Sequence, residues 1–235
     1  MATALDSIIE GVREDLALRK TKPNNFDEKI AQLGAPISPF EYLRKETISV
    51  ISEIKRSSPS KGQLAEIADP QSLALKYIEG GASAISVLTE ERRFKGSIAD
   101  FVKVREVAKI PMLRKDFIVD EFQIKETRAI GADLQLLIVA ALTKTELSDY
   151  YQMGSELGLA TLFEIHDHAE LEIAMDLSPQ IVGVNSRNLK TLKVDVDNFA
   201  KLLPEIPNAV IKIAESGISN AKEVSDLRDL GADAI

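Results

Sequence analysis

The 235-residue chain contains no cysteine, which excludes disulfides and thiolate chemistry and fits the reducing cytoplasm where we expect the protein. No uncharged stretch reaches the roughly 18 residues that a membrane span needs. The N-terminus carries Asp6 and Glu10 among its apolar residues, so it lacks the apolar core of a signal peptide. No run of Lys and Arg offsets the formal net charge of −8. We therefore expect neither nucleic acid nor a membrane as a partner.

Motifs for dinucleotides, nucleoside triphosphates and metals are also missing. The first predicted strand is not followed by Gly-x-Gly-x-x-Gly, and no Walker loop occurs. The only histidines are His166 and His168, on either side of Asp167. A spacing of two in a loop does not direct both rings at one ion, so we predict no metal site. We interpret these three residues as ordinary polar residues at a helix N-terminus.

The composition, 45% hydrophobic and 28% charged residues, is that of one large globular domain. From residue 47 onward, short apolar runs alternate with amphipathic helices, as in a parallel sheet covered on both faces. Asp69-Pro70 and Thr143-x-x-Glu146 are helix start signals. The predicted strands are 48–54, 83–88, 112–115, 134–140, 160–165, 181–185 and 209–215.

The first 46 residues have a different pattern. Apolar residues at helical spacing predict an amphipathic helix near the N-terminus. Residues 20–34 are polar and are predicted to be a connector, and 36–44 a second short helix. We therefore divide the chain into an N-terminal helical extension, 1–46, and a barrel domain, 47–235. The stripe of the first helix is Leu5, Ile8, Ile9, Val12 and Leu16.

A short repeat sets the size of the sheet. Gly81-Ala82-Ser83, Gly131-Ala132-Asp133 and Gly231-Ala232-Asp233 lie 50 and 100 residues apart, which equals two and four units of about 25 residues. Seven βα units then fit before residue 231, and an eighth strand begins at Asp233. This predicts a (β/α)₈ TIM barrel with its eighth unit truncated, with an open doubly wound sheet as the alternative. We hypothesise a fragment of a longer chain; if the 235 residues are the whole molecule, we expect weak phosphate binding and low activity.

Ionisable and amide side chains occur at the carboxyl ends of five predicted strands, which converge on one mouth in a barrel. A strand reaching the surface explains any single one of them, but five together favour a catalytic mouth. Balanced charges there would shift pKa values and separate acid from base roles. The residues are Glu53 and Lys55, then Lys115, then Glu164, then Asn185 with Arg187, and finally Glu215.

Loops beside the predicted mouth suggest further contacts. The hydroxyls and cations of 56–62 suit a carboxylate or phosphate, although a solvated basic loop explains them as well. Ser216 and Gly217 follow the seventh strand, where barrels often bind phosphate, and a helix-capping turn is the alternative. Phe94 and Phe117 would either clamp a planar ring or belong to the core.

Several segments in register resemble indole-3-glycerol phosphate synthases: 52–62, 113–118, 137–140, 183–189 and 214–218. The resemblance implies a carboxy-lyase of tryptophan biosynthesis on a TIM barrel. Its phosphorylated small-molecule substrate would be 1-(o-carboxyphenylamino)-1-deoxyribulose 5-phosphate. The products would be indole-3-glycerol phosphate, carbon dioxide and water. No metal or other cofactor is implied, and we expect a monomer.

The resemblance also implies residue roles. Lys115 would be the general acid for ring closure, and Glu164 would act in the later proton transfers and dehydration. Lys55 would hold the substrate carboxylate and share acid duty. The orienting groups would be Glu53, Asn185 and Glu215. Ser58, Phe117, Arg187 and Leu189 would line the site, and Ser216 and Gly217 would bind phosphate.

Two other interpretations stay open at the level of sequence. A sugar-phosphate isomerase or epimerase on the same barrel needs an acid/base pair but has less use for three cations at one mouth. A truncated barrel could also be a non-catalytic assembly fragment.

Overall fold

The computed structural model describes residues 3–235. Seven strands pair in parallel, in the order in which they occur along the chain. They are β1 (Ile51–Ile54), β2 (Ala84–Leu88), β3 (Met112–Lys115), β4 (Leu134–Ile138), β5 (Ala160–Ile165), β6 (Ile181–Asn185) and β7 (Ile211–Glu215). Parallel neighbours in chain order require a crossover after each strand, and a helix occupies each of these connections.

Within residues 3–235, three α-helices precede the first strand and seven lie in or after the crossovers. They are α1 (Ala4–Lys20), α2 (Phe26–Gln32), α3 (Phe40–Leu43), α4 (Pro70–Glu79), α5 (Ile98–Val107), α6 (Glu121–Ala129), α7 (Lys144–Glu156), α8 (His168–Met175), α9 (Asp197–Leu202) and α10 (Ala221–Asp229). The predicted start signals are confirmed. Asp69 caps α4, with Pro70 at its first position, and Thr143 and Glu146 form a capping box on α7.

Alternate residues of each strand face two different cores, as the pleat requires. Leu136 and Leu162 belong to the core enclosed by the sheet. Leu137 and Phe163, their next neighbours in sequence, belong to the layer between the sheet and the helices. Burial on both faces explains why the strands are continuous apolar runs.

The last residues of the chain join the two ends of the sheet. Ala234 bridges in parallel to Ser49, just before β1, and to Ile213 in β7. The amide of Ile235 donates to the carbonyl of Ser49 over 2.9 Å, and the amide of Ala214 donates to the carbonyl of Ala234 over 2.9 Å. Residues 233–235 therefore lie where an eighth strand begins. The TIM-barrel prediction is confirmed, and the open doubly wound sheet is wrong.

The Gly-Ala-Asp repeat marks equivalent points in the barrel. Gly131 and Gly231 end helices with positive φ angles of 84° and 92°, a conformation that glycine adopts without steric cost. The carboxylates of Asp133 and Asp233 each accept the backbone amide of an early residue of the preceding strand, over 2.8 Å in both cases. The repeat thus locks the amino ends of neighbouring strands together.

Three local predictions need correction. The predicted connector, 20–34, contains α2. The loop 56–62 is part of a small antiparallel hairpin, Ser57–Ser58 with Gly62–Gln63, and the strand predicted over 134–140 ends at Ile138, where a 3₁₀ turn follows. The predicted α1 and the short helix within 36–44 are confirmed. The division into 1–46 and 47–235 stays a prediction, and residues 1 and 2 lie outside the described part.

No helix among residues 3–235 combines the length and apolar character needed to cross a bilayer.

Candidate active site

A cavity of about 440 Å³ opens at the carboxyl ends of the strands, within the size range of sites for small molecules. Every candidate side chain from the sequence lines it: Glu53, Lys55, Ser58, Phe94, Lys115, Phe117, Glu164, Asn185, Arg187, Leu189, Glu215, Ser216 and Gly217. Parallel strands in register bring these distant residues together. Asn185 lies opposite Glu215, for example, at the ends of β6 and β7.

Lys115 is at the centre of the charged groups. Its Nζ donates to Oε2 of Glu164 over 2.9 Å and also donates to Oε2 of Glu215. Asn185 donates from Nδ2 to the other oxygen of Glu164 over 3.0 Å. An ammonium group thus lies between two carboxylates from strands that are far apart in sequence.

The carboxylates around Lys115 decide its protonation. Burial does oppose its charge, but Glu164, Glu215 and Glu53 outweigh this and raise the pKa of Lys115 well above its ordinary value. The lysine is therefore fully charged at neutral pH. A substrate that separates it from these carboxylates would restore its acidity.

The two carboxylates beside Lys115 have different proton affinities. Burial alone would raise the pKa of Glu164, yet Lys115 and His166 lower it well below its ordinary value. Burial and the neighbouring charge of Glu164 raise the pKa of Glu215 to about 7, against the opposing effect of Lys115. Two nearby carboxyl groups with separated pKa values are an arrangement typical of acid/base sites.

The remaining polar candidates surround this centre. Lys55 donates from Nζ to Oε1 of Glu53, and both side chains are about 30% exposed at the cavity, 31% and 29%. Arg187 donates from Nη1 to the hydroxyl of Ser60 over 3.2 Å and to the carbonyl of Leu192 over 3.1 Å. Arg187 therefore joins the loop after β6 to the loop after β1 across the mouth.

The aromatic pair forms one apolar wall. The ring centroids of Phe94 and Phe117 are 6.1 Å apart and the planes are tilted by 39°. Ile8 from α1 completes the wall beside Leu189. Glu90, which the sequence analysis did not identify, holds the loop of Phe94, since its Oε2 accepts the amide of Phe94 over 2.9 Å.

The turn after β7 is not a helix cap. Asn220 caps α10 with its own side chain, which accepts the amide of Glu223, so the capping interpretation of Ser216 and Gly217 is wrong. Both residues have positive φ angles, 70° and 75°. The turn instead lines the cavity, and phosphate binding there stays a prediction.

The helix N-terminus predicted around Asp167 is confirmed, because Asp167 caps α8 with its side chain. His166 is not an ordinary polar residue there, since it is buried, 5% exposed, between Glu164 and Glu170. His168 is the first residue of α8 and is 60% exposed. Residues 3–235 contain no cluster of metal-binding side chains, and the expectation of no metal or other cofactor stays a prediction.

Comparison with known proteins identifies the family. A family model described as indole-3-glycerol phosphate synthase matches residues 5–235. The chain belongs to the indole-3-glycerol phosphate synthase family. Two relatives with the family's name are those of Streptomyces griseus, 50% identical over 99% of this chain and 87% of the relative, and Mycobacterium sp., 48% identical over 100% and 87%.

Structural comparison agrees on the fold. An N-acetylmannosamine-6-phosphate 2-epimerase from Clostridium perfringens superposes with a TM-score of 0.65 over 86% of this chain and 90% of the epimerase, at 14% sequence identity. Identity this low supports a shared fold and no shared activity. The match to the synthase family, and not this structural likeness, decides against the isomerase, epimerase and non-catalytic interpretations.

Proposed function

We propose that this cavity is the active site for the reaction of the family. The chain catalyses the decarboxylating, dehydrating ring closure that yields indole-3-glycerol phosphate in tryptophan biosynthesis. The observation that supports this site is the position of Lys115, 2.9 Å from Glu164, in a largely apolar cavity that opens at the carboxyl ends of the strands. A proton donor and a carboxylate within hydrogen-bond distance are what the chemistry needs.

Ring closure begins at the ketone of the substrate. The ring carbon that carries the carboxylate attacks the ketone carbon, and Lys115 gives a proton to the carbonyl oxygen. Loss of carbon dioxide restores the aromatic ring. The new hydroxyl then leaves as water with a proton from Lys55, the second acid, while Glu164 accepts a proton from the neighbouring carbon. An arginine could not replace Lys115, because a guanidinium does not release its proton readily.

The cavity offers a separate place for each end of the substrate. Lys55 is suited to the carboxylate on the ring, and the wall of Phe94 and Phe117 is suited to the ring itself. The amides and hydroxyl of Ser216 and Gly217 would bind the phosphate, because consecutive residues with positive φ can direct backbone amides at an anion. Arg187 and Ser58 would complete the polar side of the site.

Replacement of Lys115 tests the site. We expect Lys115→Met to lower kcat by at least about a hundredfold, because the general acid is lost, while binding of the product stays measurable by titration calorimetry. Product formation is followed by indole fluorescence. Lys222→Met is the matched control, since this lysine is 81% exposed and pairs only with Asp226. Near-normal turnover of Lys115→Met would refute the assignment.

We also propose that the protein is a cytoplasmic monomer that does not bind nucleic acid. The net charge of −8 is the observation against a nucleic-acid partner, and the absence of cysteine is the observation that fits the cytoplasm. Sedimentation analysis should give a single species with the 25.8 kDa mass of one chain; a dimer mass would contradict the proposal.

A further inference from the structure

A buried histidine that the proposed chemistry does not use lies beside Glu164. His166 directly follows β5, two residues after Glu164, and its side chain is 5% exposed. Its Nδ1 is 2.9 Å from Oε2 of Glu170 on α8, and the same oxygen accepts the backbone amide of His166 over 2.8 Å. Its Nε2 lies 3.4 Å from Oε1 of Glu164, an ion-pair distance without the geometry of a hydrogen bond.

Both ring nitrogens of His166 therefore lie within 3.4 Å of a carboxylate oxygen. A neutral imidazole has one donor and one acceptor nitrogen, so the lone pair of its acceptor nitrogen would face an anion, which is unfavourable. A protonated ring can donate from both nitrogens. The charged groups that face the ring are Glu164 and Glu170. Asn198 of α9 contacts only the backbone carbonyl, over 2.7 Å. Burial disfavours the charge, but the carboxylates of Glu164 and Glu170 outweigh it and raise the pKa of His166 to about 10.

The position of this charge matters when substrate enters. Oε2 of Glu164 accepts a hydrogen bond from Lys115. In the proposed reaction Lys115 turns to the substrate carbonyl, and Glu164 then loses that positive neighbour. A buried carboxylate without a cation tends to take up a proton, and a protonated Glu164 cannot act as a base.

We propose that His166 is a positioning residue that remains a cation throughout the reaction and keeps Glu164 ionised and oriented after Lys115 has turned to the substrate. The proposal rests on the role of Glu164 in the proposed function. His166 contacts no substrate itself; it acts through Glu164, while Glu170 anchors the ring from behind.

The charge on His166 can be measured without any activity. The chain has two histidines, and His168→Asn leaves His166 as the only imidazole signal in ¹⁵N NMR. We expect that ring to stay doubly protonated up to pH 8 and to be half-titrated near pH 10. Glu164→Gln and Glu170→Gln in the same background should each lower this midpoint. A midpoint near the ordinary value of 6.5, or no response to Glu164→Gln, would overturn the proposal.

The kinetic consequence is a displaced pH profile. We expect His166→Asn to move the acid limb of kcat upward by about one pH unit, because Glu164 loses a cation within about 4 Å, while KM changes little. Glu170→Gln should not move the limb upward, because the ring stays protonated at acid pH and a negative charge near Glu164 is removed; the NMR midpoints keep the proposal testable if His166→Asn folds poorly. His168→Asn is the matched control and should leave the profile unchanged.

The outcomes separate this proposal from the assigned activity. A lower kcat for His166→Asn with an unmoved profile would show that the residue serves only packing and would overturn the inference. If the wild-type protein formed no indole product, the proposed function would fail, and the NMR midpoints would still decide whether His166 is a cation coupled to Glu164.

Discussion

At the scale of single residues, Gly183 in β6 allows Glu215 to reach Lys115. A β-carbon at Gly183 would overlap Oε1 of Glu215 far inside van der Waals contact and would lie 3.1 Å from Cδ1 of Leu162. Glycine is therefore needed at position 183 to leave space for the carboxylate of Glu215, and not because of its backbone conformation. Alanine would displace the carboxylate that lies beside the ammonium group.

We expect Gly183→Ala to lower kcat roughly a hundredfold, because misplacement by about 1 Å can have that effect on a reacting site. The thermal midpoint should change little, since alanine suits a strand better than glycine does. The measurements are indole fluorescence and thermal melting. Gly34→Ala is the control, because nothing lies within 4 Å of its added carbon. Unchanged kcat would show that Glu215 tolerates displacement.

The candidate site was predictable from sequence where one strand decides the position of a residue. Lys115 and Glu164 end apolar strands, and the geometry of a barrel then brings such ends together. His166 was not predictable in this way, because its burial depends on Glu170 from α8 and Glu164 from β5 meeting around it. Glu90 was missed for a similar reason, since its hydrogen bonds are with the backbone of a loop.

At the scale of elements, β3 is tied to α6 by a fully buried arginine. The side chain of Arg114 has 0% exposure, and it points away from the cavity, opposite to that of Lys115. Its Nη2 donates to Asp116 over 2.9 Å and to Glu126 over 2.8 Å. Nε donates to Thr89 over 3.0 Å. Strand β3, which carries Lys115, is thus held by the ion pairs of Arg114 on the face opposite to the cavity.

We expect Arg114→Met to lower the free energy of unfolding by about 3 to 5 kcal/mol, because it leaves the buried Asp116 without its cation and Glu126 with only Arg19, 3.5 Å away. Urea unfolding followed by circular dichroism measures this. Arg13→Met is the control, since this arginine is 54% exposed and lies 4.0 Å from Glu146. A loss no larger than that of the control would mean that water or rearrangement satisfies Asp116 and Glu126.

The elements themselves differ in how well sequence predicts them. The strands were predicted within a few residues because burial on both faces leaves short apolar runs. Helix α2 was missed because none of its residues is buried, so no apolar stripe marks it. It is placed by a tertiary contact, with the ring centroids of Phe26 and Phe122 5.0 Å apart, and sequence periodicity does not record such contacts.

At the scale of the whole molecule, α1 closes one side of the barrel mouth. Its residue Ile8 is 2% exposed and lines the cavity. Arg93, from the loop after β2, donates to the hydroxyl of Ser7 over 2.9 Å. The amide of Ala4 reaches the carbonyl of Lys190 in the loop after β6, over 3.4 Å. The N-terminal helix is thus part of the site and not only a preceding segment.

This arrangement predicts a binding effect from a residue far from the reacting atoms. We expect Ile8→Ser to raise KM about tenfold, the effect of losing an apolar contact of one or two methylene groups. The value of kcat should stay within about twofold, because a contact made equally in ground and transition states affects KM alone. Leu18→Ser is the matched control in the same helix, since Leu18 is 66% exposed. A fall in kcat at constant KM would contradict this prediction. It would mean that α1 influences the charged groups around Lys115. Ile8 could do this only by displacing the wall of Phe94 and Phe117.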